Sequence, residues 1–315
     1  MAAACGSEFT AVVTRDGSIL TFGRGGGHLG RVGVSGPKPE RVRCLGVCVI
    51  AVACGDAHTM ARTASGELWG WGRGGDGQLG SGLGESTVLP HRVHFEAETG
   101  GSNGSESAVA CVLDVACGAA HTVALVDSGQ VFSWGRGGPW LGLKDGETRL
   151  QPTPMCLSQS NQDIALRTAT SVAAGRWHTV ALTAVDDDTW QLRSCGRLLM
   201  ERQQNAGRHS ASQQPWVLTD VGECLTTKHP PLIACGGRSF PLVCTLSDNS
   251  GEDKLLCWKT SGAGAPTAAV SLAVADVKVS ITQPLLLTAF PVAVTVGPYA
   301  VRRLSAADHF VACVC

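Results

Sequence analysis

One phrase returns along this chain at intervals of tens of residues, and it governs what the chain can fold into. An Ala-Cys-Gly or Ala-Ala-Gly step is followed by two variable residues, by His-Thr and by a short apolar run. The clear copies are Ala53-Cys54-Gly55-Asp56-Ala57-His58-Thr59, Ala116-Cys117-Gly118-Ala119-Ala120-His121-Thr122 and Ala173-Ala174-Gly175-Arg176-Trp177-His178-Thr179. Such a chain is a series of copies of one supersecondary unit, so a residue that recurs in phase is read first as part of that unit.

Each phrase leads through a turn dipeptide into an alternating strand with a glycine-rich stop. Ser65-Gly66 precedes Leu68-Trp69-Gly70-Trp71-Gly72-Arg73-Gly74-Gly75, and Ser128-Gly129 precedes Val131-Phe132-Ser133-Trp134-Gly135-Arg136-Gly137-Gly138. Turn pairs between alternating apolar runs signal hairpins, because Gly at positive φ matches the twist of antiparallel strands.

Weaker copies fall in the same register. Cys5-Gly6-Ser7-Glu8-Phe9-Thr10 runs through Asp16-Gly17 into Thr21-Phe22-Gly23-Arg24-Gly25-Gly26, with Phe9 in the His position. Ala234-Cys235-Gly236 and Cys257-Trp258 mark a fifth copy with Ser239 in that position, and Ser305 to Phe310 a sixth with His309. The anchors at positions 6, 55, 118, 175, 236 and 306 are 49, 63, 57, 61 and 70 residues apart, a spread that insertion-tolerant loops between repeated units produce. Repeated all-β units of this length, with many Gly turns and almost no helical periodicity, specify a β-propeller rather than a sandwich.

The string Trp71-Gly72-Arg73-Gly74-Gly75-Asp76-Gly77-Gln78-Leu79-Gly80, followed by Pro90 and combined with the Gly-x-x-His-Thr phrase, resembles the regulator of chromosome condensation repeat family. The likeness is strongest over residues 5–185; Leu29-Gly30 and Leu141-Gly142 keep the tail of the Gly-Gln-Leu-Gly step. The resemblance implies a ring of seven blades, and for the family's founding member it implies guanine-nucleotide exchange on a small GTPase together with chromatin binding. The anchors themselves favour six blades, with seven as the alternative, in a single domain over residues 1–315. Clear repeats run to about residue 260 and degenerate ones from 261 onwards. Val270, Val274, Val277, Val279, Ile281, Val292, Val294 and Val296 are available for extra strands. Closure is expected by pairing a strand near Phe310–Val314 with one near Phe9–Val13, which removes exposed sheet edges.

Composition narrows the partners. Lys plus Arg number 25 against 26 Asp plus Glu, giving a net charge of −1, and no basic arm precedes the first repeat. Non-specific nucleic-acid binding rests on clustered cations, so nucleic acid is not the expected partner. Met1-Ala2-Ala3-Ala4-Cys5 has neither the basic start nor the apolar core of a signal peptide, and Leu285 to Val296, interrupted by Pro291, is too short to span a bilayer. A soluble intracellular protein, nuclear or cytoplasmic, is the expectation. Of the 14 cysteines, Cys5, Cys54, Cys117 and Cys235 share one repeat position and read as small buried hydrophobes. Cys44 and Cys48 do not make a zinc motif.

The phased histidines His58, His121, His178 and His309 invite a metal or general-base reading. Equivalent positions of separate blades cannot converge on one ion, so each is expected to hydrogen-bond within its own blade. The Gly-rich strings lack the Lys-Ser or Lys-Thr and the following helix of a phosphate loop, and their Arg-Gly-Gly runs are turns before they are RNA-binding segments. His28, His91, His94, His209 and His229 have no assignable catalytic partners, so no catalytic residue, cofactor or metal is expected.

Partner-binding candidates are therefore the phased arginines Arg24, Arg73, Arg136 and Arg197, which lie on one face of a propeller. Local pairing with carboxylates such as Asp76 or Asp145 is the competing reading. Trp69, Trp71, Trp134, Trp177 and Trp258 are in phase and expected in the core. Trp140, Trp190 and Trp216 are out of phase and are surface candidates, with Trp140 after Pro139 the best exposed anchor. The polar insertions 96–108 and 201–214 read as mobile loops able to carry a contact. The expected function is a non-catalytic scaffold that binds a protein partner through one face and its inter-blade loops. The alternatives are exchange on a small GTPase and, third, chromatin binding.

Overall fold

The computed structural model describes residues 2–32, 36–42, 46–95, 110–157, 164–165, 168–196, 219–220, 225–226 and 230–235, and beyond these the backbones of the strands named below. Arg197, Trp216, Ser239, His309 and the insertions 96–108 and 201–214 lie outside them.

The described chain is all-β. Its first sheet pairs Ala2–Cys5, Phe9–Val13, Ile19–Gly23 and Gly36–Arg41 as an antiparallel meander. The second repeats this with Val49–Cys54, His58–Thr63, Leu68–Gly72 and Thr87–Arg92, and the third with Val112–Cys117, His121–Val126, Val131–Gly135 and Arg149–Pro154. Ala169–Gly175, His178–Asp186 and Thr189–Gly196 form the fourth with two short strands, Thr219–Asp220 and Leu225–Thr226, and a ribbon of Cys156–Leu157 with Ile164–Ala165 precedes it. The innermost strand of each sheet ends at or next to the anchor of its repeat, which is why the phrase preserved its phase.

The inner strands pack in chain order, and the core lies between sheets rather than within them. Ala11, Val13, Ile19 and Val42 meet Val49, Ala61 and Trp71 of the second sheet. Met60, Leu68 and Val93 meet Val112, Ala124, Phe132 and Trp134 of the third. Val123, Leu125, Val131 and Met155 meet Ala169, Val172, Ala181 and Cys195 of the fourth. Because each sheet shares its apolar faces with its neighbours, the sheets are not independently stable units.

The C-terminal third departs from the expectation. The fifth sheet joins Ile233–Ala234, Leu242–Ser247 and Asp253–Trp258 to Val292–Thr295, and the sixth orders Val277–Ile281, Val270–Val274, Phe310–Val314 and Arg303–Ala306. The β-branched stretch thus does supply strands, which include every residue singled out except Val296. Phe310–Val314 pairs with Arg303–Ala306 and, in parallel, with Val270–Val274. It does not pair with Phe9–Val13, because the N-terminal segment completes its own sheet: Phe9–Val13 is already flanked by Ala2–Cys5 and Ile19–Gly23. The expected closing pair is therefore corrected.

Candidate functional site

The two ends of the ring are made of different turns. At one end lie the hairpins Asp16-Gly17, Ser65-Gly66 and Ser128-Gly129. At the other, the loops after the inner strands are strung together by backbone bonds from Ser7 N to Asp56 O (3.4 Å), Asp56 N to Ala119 O (3.2 Å) and Ala119 N to Arg176 O (3.2 Å). The glycine-rich stops reach this same end. Arg24 N donates to Glu8 O at 2.9 Å, and Arg73 N and Arg136 N donate to Ala57 O and Ala120 O, each at 2.8 Å. Three candidate arginines are thereby fixed in equivalent places on one face; Arg197 falls outside the described residues.

Glycine is required at two phased positions here. Gly23, Gly72, Gly135 and Gly196 end the third strands at φ 127, 108, 110 and 95°, and a Cβ there would run into the backbone at Phe9, His58, His121 or His178. A Cβ at Gly6 would overlap the Phe9 ring, and at Gly55, Gly118 or Gly175 the ring of the following histidine, so the Gly-x-x-His spacing is a packing constraint.

Those rings latch one sheet to the next. His58 Nε2 lies 3.0 Å from Thr122 Oγ1, whose hydroxyl donates to the Gln78 carbonyl at 2.8 Å. With its one proton so committed, Thr122 accepts from His58, which fixes the Nε2–H tautomer. The next junction repeats this: His121 Nε2 is 3.2 Å from Thr179 Oγ1, which donates to the Trp140 carbonyl at 2.7 Å. In the first junction Phe9 replaces His, and only the bond from Thr59 Oγ1 to His28 O remains, at 3.0 Å. The same carbonyls receive a second donor from the following sheet: Trp71 Nε1 to His28 O and Trp134 Nε1 to Gln78 O, both 2.9 Å, and Cys195 Sγ to Trp140 O, 3.4 Å.

The expectation that each histidine pins its own blade is therefore corrected for His58 and His121, which grip the next one. Burial pushes His58 and His121 down to about 3, so both are neutral imidazoles with an unpartnered Nδ1. They are inter-sheet pins, unsuited to proton transfer at neutral pH. His28 also has a place that sequence reading did not give it. Its ring packs on Phe9 at 4.4 Å between centroids and bonds the Arg24 carbonyl at 2.9 Å.

The inner strands front a central cavity of about 600 Å³ lined by Cys5, Cys54, Cys117 and Cys235 among small residues. The expected burial holds in part: Cys54 and Cys117 are half-buried and pack against the inter-sheet cores while lining the cavity, Cys235 is half-buried, and Cys5 is exposed. Burial raises Cys54 to about 12 and raises Cys117 and Cys235 as well, so they are protonated and unreactive. Among the described residues no three His, Cys, Asp or Glu side chains group as metal ligands. At the cavity mouth Arg176 pairs with Asp56 of the second sheet at 3.0 Å, reaching past the third.

Around that mouth the arginines differ in their surroundings. Arg24, its side chain 82 % exposed, stands 3.6 Å from Glu8, and Arg73, 62 % exposed, is 3.2 Å from Asp76. Arg136 is exposed and lies over the Trp177 ring, 6.0 Å from its centroid. Asp145, considered for such pairing, is instead bonded to Arg149. Trp140 is half-buried rather than an exposed anchor. Its Nε1 donates to Arg136 O at 2.8 Å, and its ring meets Trp177 at 4.8 Å and His121 at 6.4 Å. Trp71 and Trp134 are fully buried as expected, whereas Trp177 is half-buried on the face. Trp190, a surface candidate, is buried in the fourth sheet.

A family model described as "Regulator of chromosome condensation (RCC1) repeat" matches residues 16–62, 65–125 and 128–182. The chain is 34 % identical over 188 residues to the E3 ubiquitin-protein ligase HERC2 of Mus musculus, covering 57 % of this chain and 4 % of that one. It is 33 % identical over 156 residues to the Protein RCC2 homolog of Danio rerio, covering 44 % of this chain and 31 % of that one. The chain therefore spans less than a third of either relative. Among solved structures, human WBSCR16 superposes with a TM-score of 0.61 at 21 % identity, covering 97 % of this chain and 71 % of that one. Prp20p of Saccharomyces cerevisiae, described with its binding to Gsp1p and histones, gives 0.53 at 19 % identity, covering 80 % and 56 %. These likenesses establish the fold.

Proposed function

Because the chain belongs to the regulator of chromosome condensation repeat family, we propose that it is a non-catalytic binding module that holds a protein partner across the face carrying Arg24, Arg73 and Arg136. One observation carries this reading: the repeat brings these exposed side chains to equivalent, backbone-fixed places at one end of the ring. His58 and His121 are neutral and occupied in holding neighbouring sheets together, and the Cys54 thiol is kept protonated by burial. A rigid frame with preset side chains lowers the ordering cost of association, which is what a binding surface requires. With a net charge of −1 and an acid beside Arg24, Arg73 and Arg176, the face suits a protein surface better than a polyanion.

A second reading, exchange on a small GTPase, is favoured by the likeness to Prp20p and its Gsp1p partner. Exchange demands no acid or base, only tighter binding to the nucleotide-free GTPase than to the loaded one. Affinity capture from the native cell compares wild type with the Arg24→Glu, Arg73→Glu, Arg136→Glu triple variant. The binding-module reading requires a stoichiometric protein partner lost in the variant; partners retained in full by the variant contradict it. If the partner is a GTPase, accelerated release of labelled GDP selects exchange over scaffolding.

A further inference from the structure

Resting on the binding-module reading, we propose that the face has one anchor, the Arg136–Trp177–Trp140 cluster where the third and fourth sheets meet, and that it takes an Asp or Glu side chain of the partner flanked by an apolar residue. Of the exposed arginines around the cavity mouth, Arg24, Arg73, Arg136 and Arg176, three stand within 3.6, 3.2 and 3.0 Å of Glu8, Asp76 and Asp56. Among the described residues Arg136 alone of these has no carboxylate. Its charge rests instead over the Trp177 ring.

An arginine at cation–π distance from an indole, with no carboxylate engaged, keeps its N–H fork available, is weakly hydrated and matches a carboxylate in bidentate fashion. Its position is held from three sides. The backbone N–H is fixed to Ala120 O at 2.8 Å, the carbonyl receives Trp140 Nε1 at 2.8 Å, and Trp140 props Trp177 at 4.8 Å. The two half-buried indoles offer the apolar floor that a residue beside the carboxylate would cover, and Arg with Trp is the composition that dominates binding energy at interfaces. A phosphate chain would bring charges against Asp56 and Asp76 on the same face; a single carboxylate would not.

The test pans a random-peptide phage library against the full chain, then measures synthetic copies of the enriched peptides by fluorescence anisotropy. The proposal expects a consensus of Asp or Glu next to an apolar residue. Binding should weaken about tenfold or more with Arg136→Gln and with Trp177→Phe, and little with Arg24→Gln plus Arg73→Gln. Arg136→Lys should recover only part of the loss, since it restores charge without the fork. Because Arg136 is exposed, its variants test the contact without threatening the fold. Acid-free peptides, no enrichment, or displacement of the peptide by oligo-dT would each overturn the proposal. Acidic peptides lost only with the Arg24 and Arg73 variants would overturn the anchor and leave the face standing, while peptides indifferent to all these changes would count against both.

Discussion

His58 Nε2 sits 3.0 Å from the hydroxyl of Thr122, a residue of the next sheet, and the two join repeats that are 63 residues apart in anchor spacing. That hydroxyl passes its own proton back to the Gln78 carbonyl of the second sheet, so one threonine is gripped twice by its neighbour.

Thr122→Val should therefore unfold earlier than wild type by about 2–3 kcal/mol in urea, since it strands a buried imidazole N–H and removes one of the two donors to the Gln78 carbonyl, which keeps Trp134. Thr59→Val should cost roughly half as much, because Phe9 replaces the histidine and only one partner is lost. Equal losses would show that the histidine adds nothing to the latch.

Acid should loosen the same junctions. The histidines His58 and His121 fall from 6.5 in the unfolded chain to about 3 in the fold, so the folded state binds fewer protons. Their contribution is fully present above pH 6.5 and is lost progressively as pH falls towards 3. Urea midpoints measured across that window should decline, and His58→Asn should flatten the decline; a wild-type midpoint constant from pH 7 to pH 4 would contradict the assignment.

Glycines in one loop system should respond oppositely to a methyl group. Gly55→Ala drives a Cβ into the His58 ring and to 2.5 Å from Gly118 O, and a loss above about 2 kcal/mol is expected. Gly75→Ala meets nothing within 4 Å and should stay within about 0.5 kcal/mol of wild type. Thermal melts of the two variants decide the matter.

The ion pair of Arg176 with Asp56 looks like a brace across the cavity mouth, yet its side chains are 53 % and 39 % exposed. Solvent-screened pairs contribute about 0–1 kcal/mol, so Arg176→Gln should leave the melting midpoint nearly unchanged. A drop of several degrees would mean that the mouth is held shut by charge.

The inner strands were legible because Gly55, Gly118 and Gly175 are each forced by a ring packed on them, and such constraints survive in the sequence. The reach of His58 to Thr122 was not, since spacing within a unit is silent about which neighbour a side chain faces. The carbonyls of His28, Gln78 and Trp140 do equivalent work with different side chains, so a backbone role hid behind side-chain variety. Trp140 read as an exposed anchor because it broke phase. In the fold it is in phase with His28: each ring lies four residues after its arginine and bonds that arginine's carbonyl, a match that two different side chains concealed. The partner strand of Phe310–Val314 was misjudged because a five-residue apolar strand fits many edges and only three-dimensional placement selects one.

The most direct measurement is hydrogen–deuterium exchange of the chain alone and in complex with its captured partner. The account predicts slowed exchange at the loops around Glu8, Arg24, Ala57, Arg73, Ala120, Arg136 and Trp177, strongest near Arg136. Protection confined to the opposite hairpins at Gly17, Gly66 and Gly129, with the arginine face unchanged, would contradict it.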